Sequence, residues 1–392
     1  MTTALLILLL AQAQDPNTPP EPEKVNKAID KGTEYMLAAV DIDPGHDMLR
    51  CDELLLYAIA HVGKMGDPRA KKLLARVLKA DLNSGYQPTY SVSLRAMALA
   101  QIDPAQFQVS IAQCAWWLVN AQTDNGQWDY WGPKEKPPGI FDKVQWPGKQ
   151  ATGEKSKSDR GLLVKRTAKW SDRGMPSKLF RNTSTAQYAV LGLYAAYRAK
   201  VWVPQETWDK TVQSTLRSQG KGGGWGYIDP ADTKNDWPMA SSRANRSMTA
   251  SQLSVLAVLK GVLETPPREI DDSMDRGFKW LARDFSLARA AAMKGPNFDG
   301  ADMTGVYYFY GTYSVERAGI LWGREKIGEH WWYAQGANEL LRLQKDDGSW
   351  GEDYGSATDR PACTAFAILF LKRAVPPPVI TGGGQKEDPP KK

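Results

Sequence analysis

Gln122-Thr-Asp-Asn-Gly126-Gln-Trp128, Gln219-Gly-Lys-Gly-Gly223-Gly-Trp225 and Gln344-Lys-Asp-Asp-Gly348-Ser-Trp350 are three copies of one phrase, Q-x-x-x-G-x-W. Each ends an amphipathic stretch and shortly precedes an apolar one. A phrase of fixed internal spacing that returns about every hundred residues marks a repeat architecture, so it is read before any local motif. Its chemistry is that of a corner piece. The Gln amide bonds groups left open at helix termini, the Gly permits a tight turn, and the Trp packs over the junction. This reading makes the phrase a staple from one helix to the next, with no ligand involved.

Outward from the corners, helical periodicity predicts six helix pairs. They cover roughly 23–40 with 47–62, 68–80 with 88–101, 105–122 with 182–199, 204–219 with 246–264, 268–284 with 303–322, and 328–344 with 359–373. First members are amphipathic: Trp208, Val212, Leu216 and Gln219 share one face, as do Tyr333, Ala337, Leu340, Leu341 and Gln344. Second members, such as Thr185 to Tyr197, Met248 to Val258 and Pro361 to Leu371, are apolar almost all round. A helix without a polar face must be covered on most sides, whereas an amphipathic one sits at the surface. Alternating the two builds an all-α ring of buried helices inside a ring of half-exposed ones.

The 392 residues, 42% hydrophobic and 24% charged, fit one large globular domain with a substantial core. That domain is expected over 23–375. Residues 1–13, with an apolar run from Ala4 to Leu10 followed by Ala11-Gln12-Ala13, read as a signal peptide, although no Lys or Arg precedes the run. The expectation is therefore an exported protein, periplasmic or secreted, with no stable transmembrane segment after cleavage. Residues 14–22 read as a linker and 376–392 as a disordered tail. Cys51, Cys114 and Cys363 lack C-x-x-C spacing and read as small buried residues.

The Q-x-x-x-G-x-W phrase after an amphipathic helix resembles the QW repeat of squalene-hopene and oxidosqualene cyclases. Those proteins share an α/α-toroid with protein prenyltransferase β subunits. The segments 183–199 (TSTAQYAVLGLYAAYRA), 226–259, 307–323 and 340–374 are similar to the exported prenyltransferase/squalene-oxidase-repeat proteins of bacteria. The resemblance covers roughly residues 100–373 and implies the toroid fold. What it implies about activity is checked against the family's signatures, which this chain departs from. In place of the D-x-D-D acid motif stands Glu269-Ile-Asp271-Asp272, at the start of an outer helix where acidic groups complement the helix dipole. In place of a D-x-C zinc pair stands Asp359-Arg-Pro-Ala-Cys363, with no later histidine. No cofactor and no metal site is therefore expected, and no elbow, phosphate loop or dinucleotide fingerprint occurs.

Parallel inner helices gather their beginnings at one mouth of the ring, so any site is sought there. The catalytic candidates are Asp302, Glu316 and Asp359. The candidates for lining a cavity are Asp52, Glu53, Asn182, Gln187, Arg246, Thr249, Tyr307, Tyr308, Tyr310, Tyr313, Arg317 and Arg360. Aromatic groups beside carboxylates suit a carbocation or a stacked sugar; as packing, the same residues would leave Glu316 paired with Arg317 or another neighbour. An insertion at 132–181 carries thirteen Lys and Arg against five Asp and Glu, enough to account for the chain's net charge of +6. It reads as a lid or docking patch for an anionic partner, or as a solvated excursion. Nucleic acid is not expected as a partner. The functional expectation is a toroid that has lost the family's acid and metal groups and binds a lipid, isoprenoid or glycan, or an envelope protein. The alternative is a divergent isoprenoid cyclase or a carbohydrate-active enzyme with dispersed carboxylates.

Overall fold

The computed structural model describes residues 15–41, 52–84, 87–145, 160–167, 183–228, 243–283, 285–289, 306–351 and 359–373. The expected signal peptide and tail, Asn182, Asp302, Cys51 and most of the basic insertion lie outside the described residues.

The inner helices are α2 (Asp52–His61), α4 (Pro88–Ile102), α6 (Thr183–Arg198), α8 (Arg246–Val262), α10 (Val306–Trp322) and α12 (Asp359–Lys372). The outer ones are α1 (Pro22–Ala39), α3 (Pro68–Lys79), α5 (Gln108–Ala121), α7 (Gln205–Arg217), α9 (Glu269–Ala282) and α11 (Trp332–Leu343). Each inner helix packs on the next, and α12 packs back on α2, so the inner ring closes. The outer helices lie over its joints, as α5 does between α4 and α6, and α1 between α12 and α2. The chain is an α/α-toroid.

Local chemistry sets the helix starts. Asp67 caps α3 by accepting the Arg69 amide at 2.8 Å, with Pro68 following it, and Asn245 caps α8 by accepting the Met248 amide at 2.8 Å.

The three corners repeat one geometry with a specific target. Gln122 Nε2 donates to the Gly126 carbonyl at 3.3 Å and to the Thr207 carbonyl of α7 at 3.0 Å. Gln219 does the same to Gly223 at 2.7 Å and to Ser273 of α9 at 2.8 Å. Gln344 does it to Gly348 at 2.9 Å and to Ala28 of α1 at 2.8 Å. The three glycines have φ of +86°, +99° and +86°, where an L side chain is strained. A methyl group on any of them would also strike the next outer helix, at Lys210, Arg276 or Lys31. Trp128, Trp225 and Trp350 are fully buried, and each indole N–H returns to a carbonyl of its own outer helix, Leu118, Thr215 or Leu340, at 2.7–2.9 Å. A threonine from the following inner helix then bonds the Trp backbone: Thr185, Thr249 and Thr364. The phrase therefore binds consecutive outer helices to each other, a sharper role than a staple to the next helix in sequence. Its third copy ties the end of the repeat to α1.

Two departures from the sequence reading share a cause. Helix α5 occupies the outer ring yet is buried along nearly all its length, unlike the amphipathic outer helices expected. Its outward side is covered by a small sheet that the sequence reading did not foresee. In it β1 (Lys143–Gln145) pairs antiparallel with β2 (Arg160–Leu163), and β2 pairs parallel with β3 (Val201–Trp202). Leu162 and Val164 are buried, the Asn120 side chain holds Lys165 and Thr167 backbone groups, and Arg166 reaches Gln122 Oε1 at 2.7 Å. The described part of the insertion is thus a cover for α5 that ends on a corner. A second ribbon, β4 (Lys326–Ile327) with β5 (His330–Trp331), precedes α11. Cys114 and Cys363 are buried, and burial pushes the Cys114 thiol up to about 12.

Candidate functional site

Side chains from α2, α6 and α10, three alternate helices of the inner ring, meet on its axis. Tyr188 of α6 stacks on Tyr310 of α10 with ring centroids 6.1 Å apart, and Tyr310 and Tyr313 both pack on Phe366 of α12. Gln187, fully buried, is the hub. Its Oε1 accepts from Tyr310 Oη at 3.1 Å, Ser251 Oγ at 2.9 Å and Arg317 at 3.0 Å, while its Nε2 donates to Ser254 Oγ at 3.1 Å. Arg317 also donates to Ser314 Oγ at 2.9 Å.

Arg317 is fully buried and remains a cation. Its guanidinium lies 4.2 Å from the Tyr313 ring centroid, 5.1 Å from that of Tyr188 and 5.9 Å from that of Tyr310. Each desolvated cation–π contact of this kind contributes up to about 2 kcal/mol, which offsets part of the cost of burying the charge. The axis is consequently filled at this depth by interlocked polar and aromatic groups. Toward the helix starts a ladder of hydroxyls continues: Tyr310 Oη lies 3.0 Å from Ser184 Oγ, which accepts from Tyr90 Oη at 2.9 Å. Tyr90 is half-buried. Burial, with the other tyrosine oxygens close by, pushes its hydroxyl well above the ordinary range, so it stays protonated and can donate.

The residues after the first corner complete this end of the axis. Thr89, at the start of α4, bonds the Tyr130 carbonyl through its amide at 3.0 Å and the Asp129 carbonyl through its hydroxyl at 2.6 Å. That anchor draws residues 129–131 across the α4 terminus. The half-buried Tyr130 ring lies 6.1 Å from the Tyr90 ring and 5.8 Å from that of Trp131, which is set edge-on at 87°. Tyr90, Tyr130 and Trp131 form an aromatic rim that joins the Ser184 and Tyr310 hydroxyls through Tyr90.

The candidates named from sequence divide accordingly. Gln187, Tyr310, Tyr313 and Arg317 do meet on the axis. Others turn elsewhere: Asp52 pairs with Arg76 of the outer helix α3, and the buried Glu53 with Arg95 of the neighbouring inner helix α4 at 3.0 Å. Desolvation raises the Glu53 carboxyl from its usual range, and the Arg95 guanidinium opposes that shift. Thr249 serves the second corner, Arg360 braces the third through Asp347 at 2.5 Å, and Tyr308 donates to the Leu287 carbonyl at 2.7 Å. Arg246 reaches the Ser286 carbonyl at 2.6 Å, and Tyr307 is half-buried against the core. Glu316 is fully buried, and its charge acts on Tyr57 and Tyr313. Its neighbour Arg317 turns instead to Gln187, Ser314 and the tyrosine rings. Asp359 begins α12, but its side chain lies outside the described residues, as do Asp302 and Asn182.

Sequence reasoning missed Tyr57, Tyr90, Tyr188, Ser184, Ser251, Ser254 and Ser314. A usable signal was present: uncharged polar residues recur at helical spacing on otherwise apolar helices, as in Ser184, Gln187 and Tyr188, or Ser251 and Ser254. At the far end of the axis a pocket of about 120 Å³ is lined by Tyr57, Met97, Gln101, Leu191, Tyr194 and Arg198 among others, with no carboxylate in its wall. Among the described residues no group of three or more His, Cys, Asp or Glu gathers to hold a metal ion, and no helix is long and apolar enough to cross a membrane.

This architecture recurs in solved structures. The chain is similar to a possible member of the GH105 family from Salmonella enterica serovar Paratyphi A, at 13% identity and a TM-score of 0.50, over 95% of this chain and 98% of that one. It is also similar to the type II terpene cyclase MstE from Scytonema, at 12% identity and a TM-score of 0.48, over 91% and 99%. A variant of that cyclase bound to geranylgeranyl dihydroxybenzoate matches at 12% and 0.47, over 90% and 97%. The first likeness agrees with the α/α-toroid built above and speaks for the fold alone. No protein-family model and no curated relative matches the sequence.

Proposed function

We propose that this chain is an exported binding protein that takes a glycan at the helix-start end of the toroid axis. The observation that carries the reading is the rim of Tyr90, Tyr130 and Trp131, joined at Tyr90 to the Ser184–Tyr310 hydroxyl ladder. Aromatic faces next to fixed hydroxyls suit a sugar ring, which offers C–H groups on its faces and O–H groups at its edge. The ladder ends on buried Gln187 and Arg317, so its hydroxyls are oriented before any ligand arrives, which lowers the ordering cost of binding.

Two features weigh against the catalytic alternatives. The tyrosine faces that would stabilise a carbocation already hold the Arg317 guanidinium, and a buried positive charge repels a developing one. Hydrolysis of a glycosidic bond calls for two carboxyl groups roughly 5–10 Å apart. Glu316, the carboxyl group whose charge reaches the axial tyrosines, is sealed from solvent.

The test is calorimetric titration of the full chain with cellohexaose, chitohexaose and a soluble peptidoglycan fragment, with farnesol as the apolar comparison. At least one oligosaccharide should bind, and Tyr90→Ala or Trp131→Ala should weaken it about tenfold or more, the loss expected for an aromatic binding contact. Binding of farnesol alone, or equal affinity in both variants, would defeat the glycan reading.

A further inference from the structure

The outer ring has a joint that the repeated phrase does not close. Between α3 and α5 the segment 80–84 carries no Q-x-x-x-G-x-W copy, and a cleft of about 300 Å³ opens there. Ser110 is the third residue of α5, as Thr207 is of α7, where the first corner clamps. At α5 no corner glutamine arrives, and Ser110 and Gln113 line the cleft instead.

The opposite wall supplies charge. Lys79, Arg95 and Lys136 line the cleft against one acid, Asp81, which lies 3.8 Å from Lys136 at the exposed edge. Arg95 is only 6% exposed. Two of its nitrogens are used, one on the Ala80 carbonyl at 2.9 Å and one on Glu53 at 3.0 Å. Its Nε–H donates to no acceptor among the described residues. A buried donor left without a partner costs on the order of 1–3 kcal/mol. The cleft is also fixed in shape. Asn83 in its wall accepts from Trp117 Nε1 at 3.0 Å, and Gly132 lies so close over the Trp117 ring that a methyl group there would collide. That contact leads the start of the basic insertion to the cleft and sets Lys136 and Pro137 in its lining.

We propose that this cleft is a second, separate binding site for a small hydroxylated anion, a sugar phosphate or a sugar acid. Arg95, Lys79 and Lys136 take the anionic group, and Ser110 and Gln113 take the hydroxyls. The volume matches the lower end of the ~300–1,000 Å³ that small-molecule sites occupy. The site shares no residue with the aromatic rim, so it stands or falls independently of the glycan reading.

The experiment is calorimetric titration of the full chain with glucose 6-phosphate, gluconate, glucose and inorganic phosphate at low salt. Glucose 6-phosphate or gluconate should bind, the tighter of the two identifying the anion, and glucose should bind at least tenfold more weakly. The double variant Lys79→Glu with Lys136→Glu, both exposed positions, should keep its melting temperature and lose at least tenfold in affinity. The proposal is overturned if neither anion binds, if glucose or inorganic phosphate binds as tightly as glucose 6-phosphate, or if the double variant binds like the parent. The Tyr90→Ala variant should bind both anions unchanged.

Discussion

The first corner and the α3–α5 joint solve the same packing problem in opposite ways. At the corner, Gln122 and Gly126 close on α7 while Trp128 ties the turn back to α5. At the joint, Ser110 and Gln113 face an open space lined by cations. One region contributes stability; the other gives up contacts and gains a lining. In a repeat protein the useful question is therefore where the repeat unit is incomplete, because the frame around it keeps the gap in shape.

The comparison breaks most visibly at the third corner. Trp350→Ala empties a fully buried indole site and removes the bond to Leu340, so it should cost about 3–5 kcal/mol in chemical denaturation, while filling the joint should cost almost nothing. A cost below about 1 kcal/mol would mean that the corner does not hold the ring.

A change of pH loosens the inner ring without touching either region. Burial, with repulsion from Lys372, holds the His61 imidazole down from 6.5 to about 4. Between those values the unfolded chain binds the proton and the folded chain does not. Stability is therefore complete above pH 6.5, falls as pH drops toward 4, and then levels, a total of about 3 kcal/mol. His61→Gln should flatten that slope in thermal melts between pH 4 and 6.5, and its effect should add to that of a corner variant.

Next in size is a pair of glycines. Gly126→Ala forces a side chain into φ +86° and against the Lys210 carbonyl, at a cost of about 1–3 kcal/mol. Gly139→Ala, with open space around it, should stay within about 0.5 kcal/mol. Equal effects at the two sites would erase the distinction between corner and open loop. The smallest expected change is at the joint itself. Ser110→Trp, placed to fill the cleft, should shift stability by less than about 0.5 kcal/mol while abolishing the binding of sugar phosphate or sugar acid.

Much of the frame was legible because it is written in local periodicity. The Q-x-x-x-G-x-W spacing and the contrast between amphipathic and apolar helices both follow from residues within one or two turns of each other. The target of each clamp was not legible, since Thr207 and Ala28 lie far from Gln122 and Gln344 in sequence and only the closed ring brings them together. The covering of α5 was hidden for the same reason: an apolar outer helix makes sense only once Leu162 and Val164 are seen against it. For the candidate site, the tyrosines of α10 stood out as a cluster. Arg317 beside Glu316 invited an ion pair, whereas the guanidinium finds its hydrogen-bond partner at Gln187, on another helix. The cleft had no positive signal, because it is defined by a motif that does not occur there.

The bond from Gln344 to Ala28 joins residues near opposite ends of the described chain. During synthesis at about 5–20 residues per second, α1 emerges on the order of tens of seconds before the clamp that secures it. Through that interval Val25, Ile29 and Met36, which α1 buries in the finished ring, wait without their final cover. The first helix of a nascent chain therefore keeps part of its apolar face uncovered until the last repeat is complete.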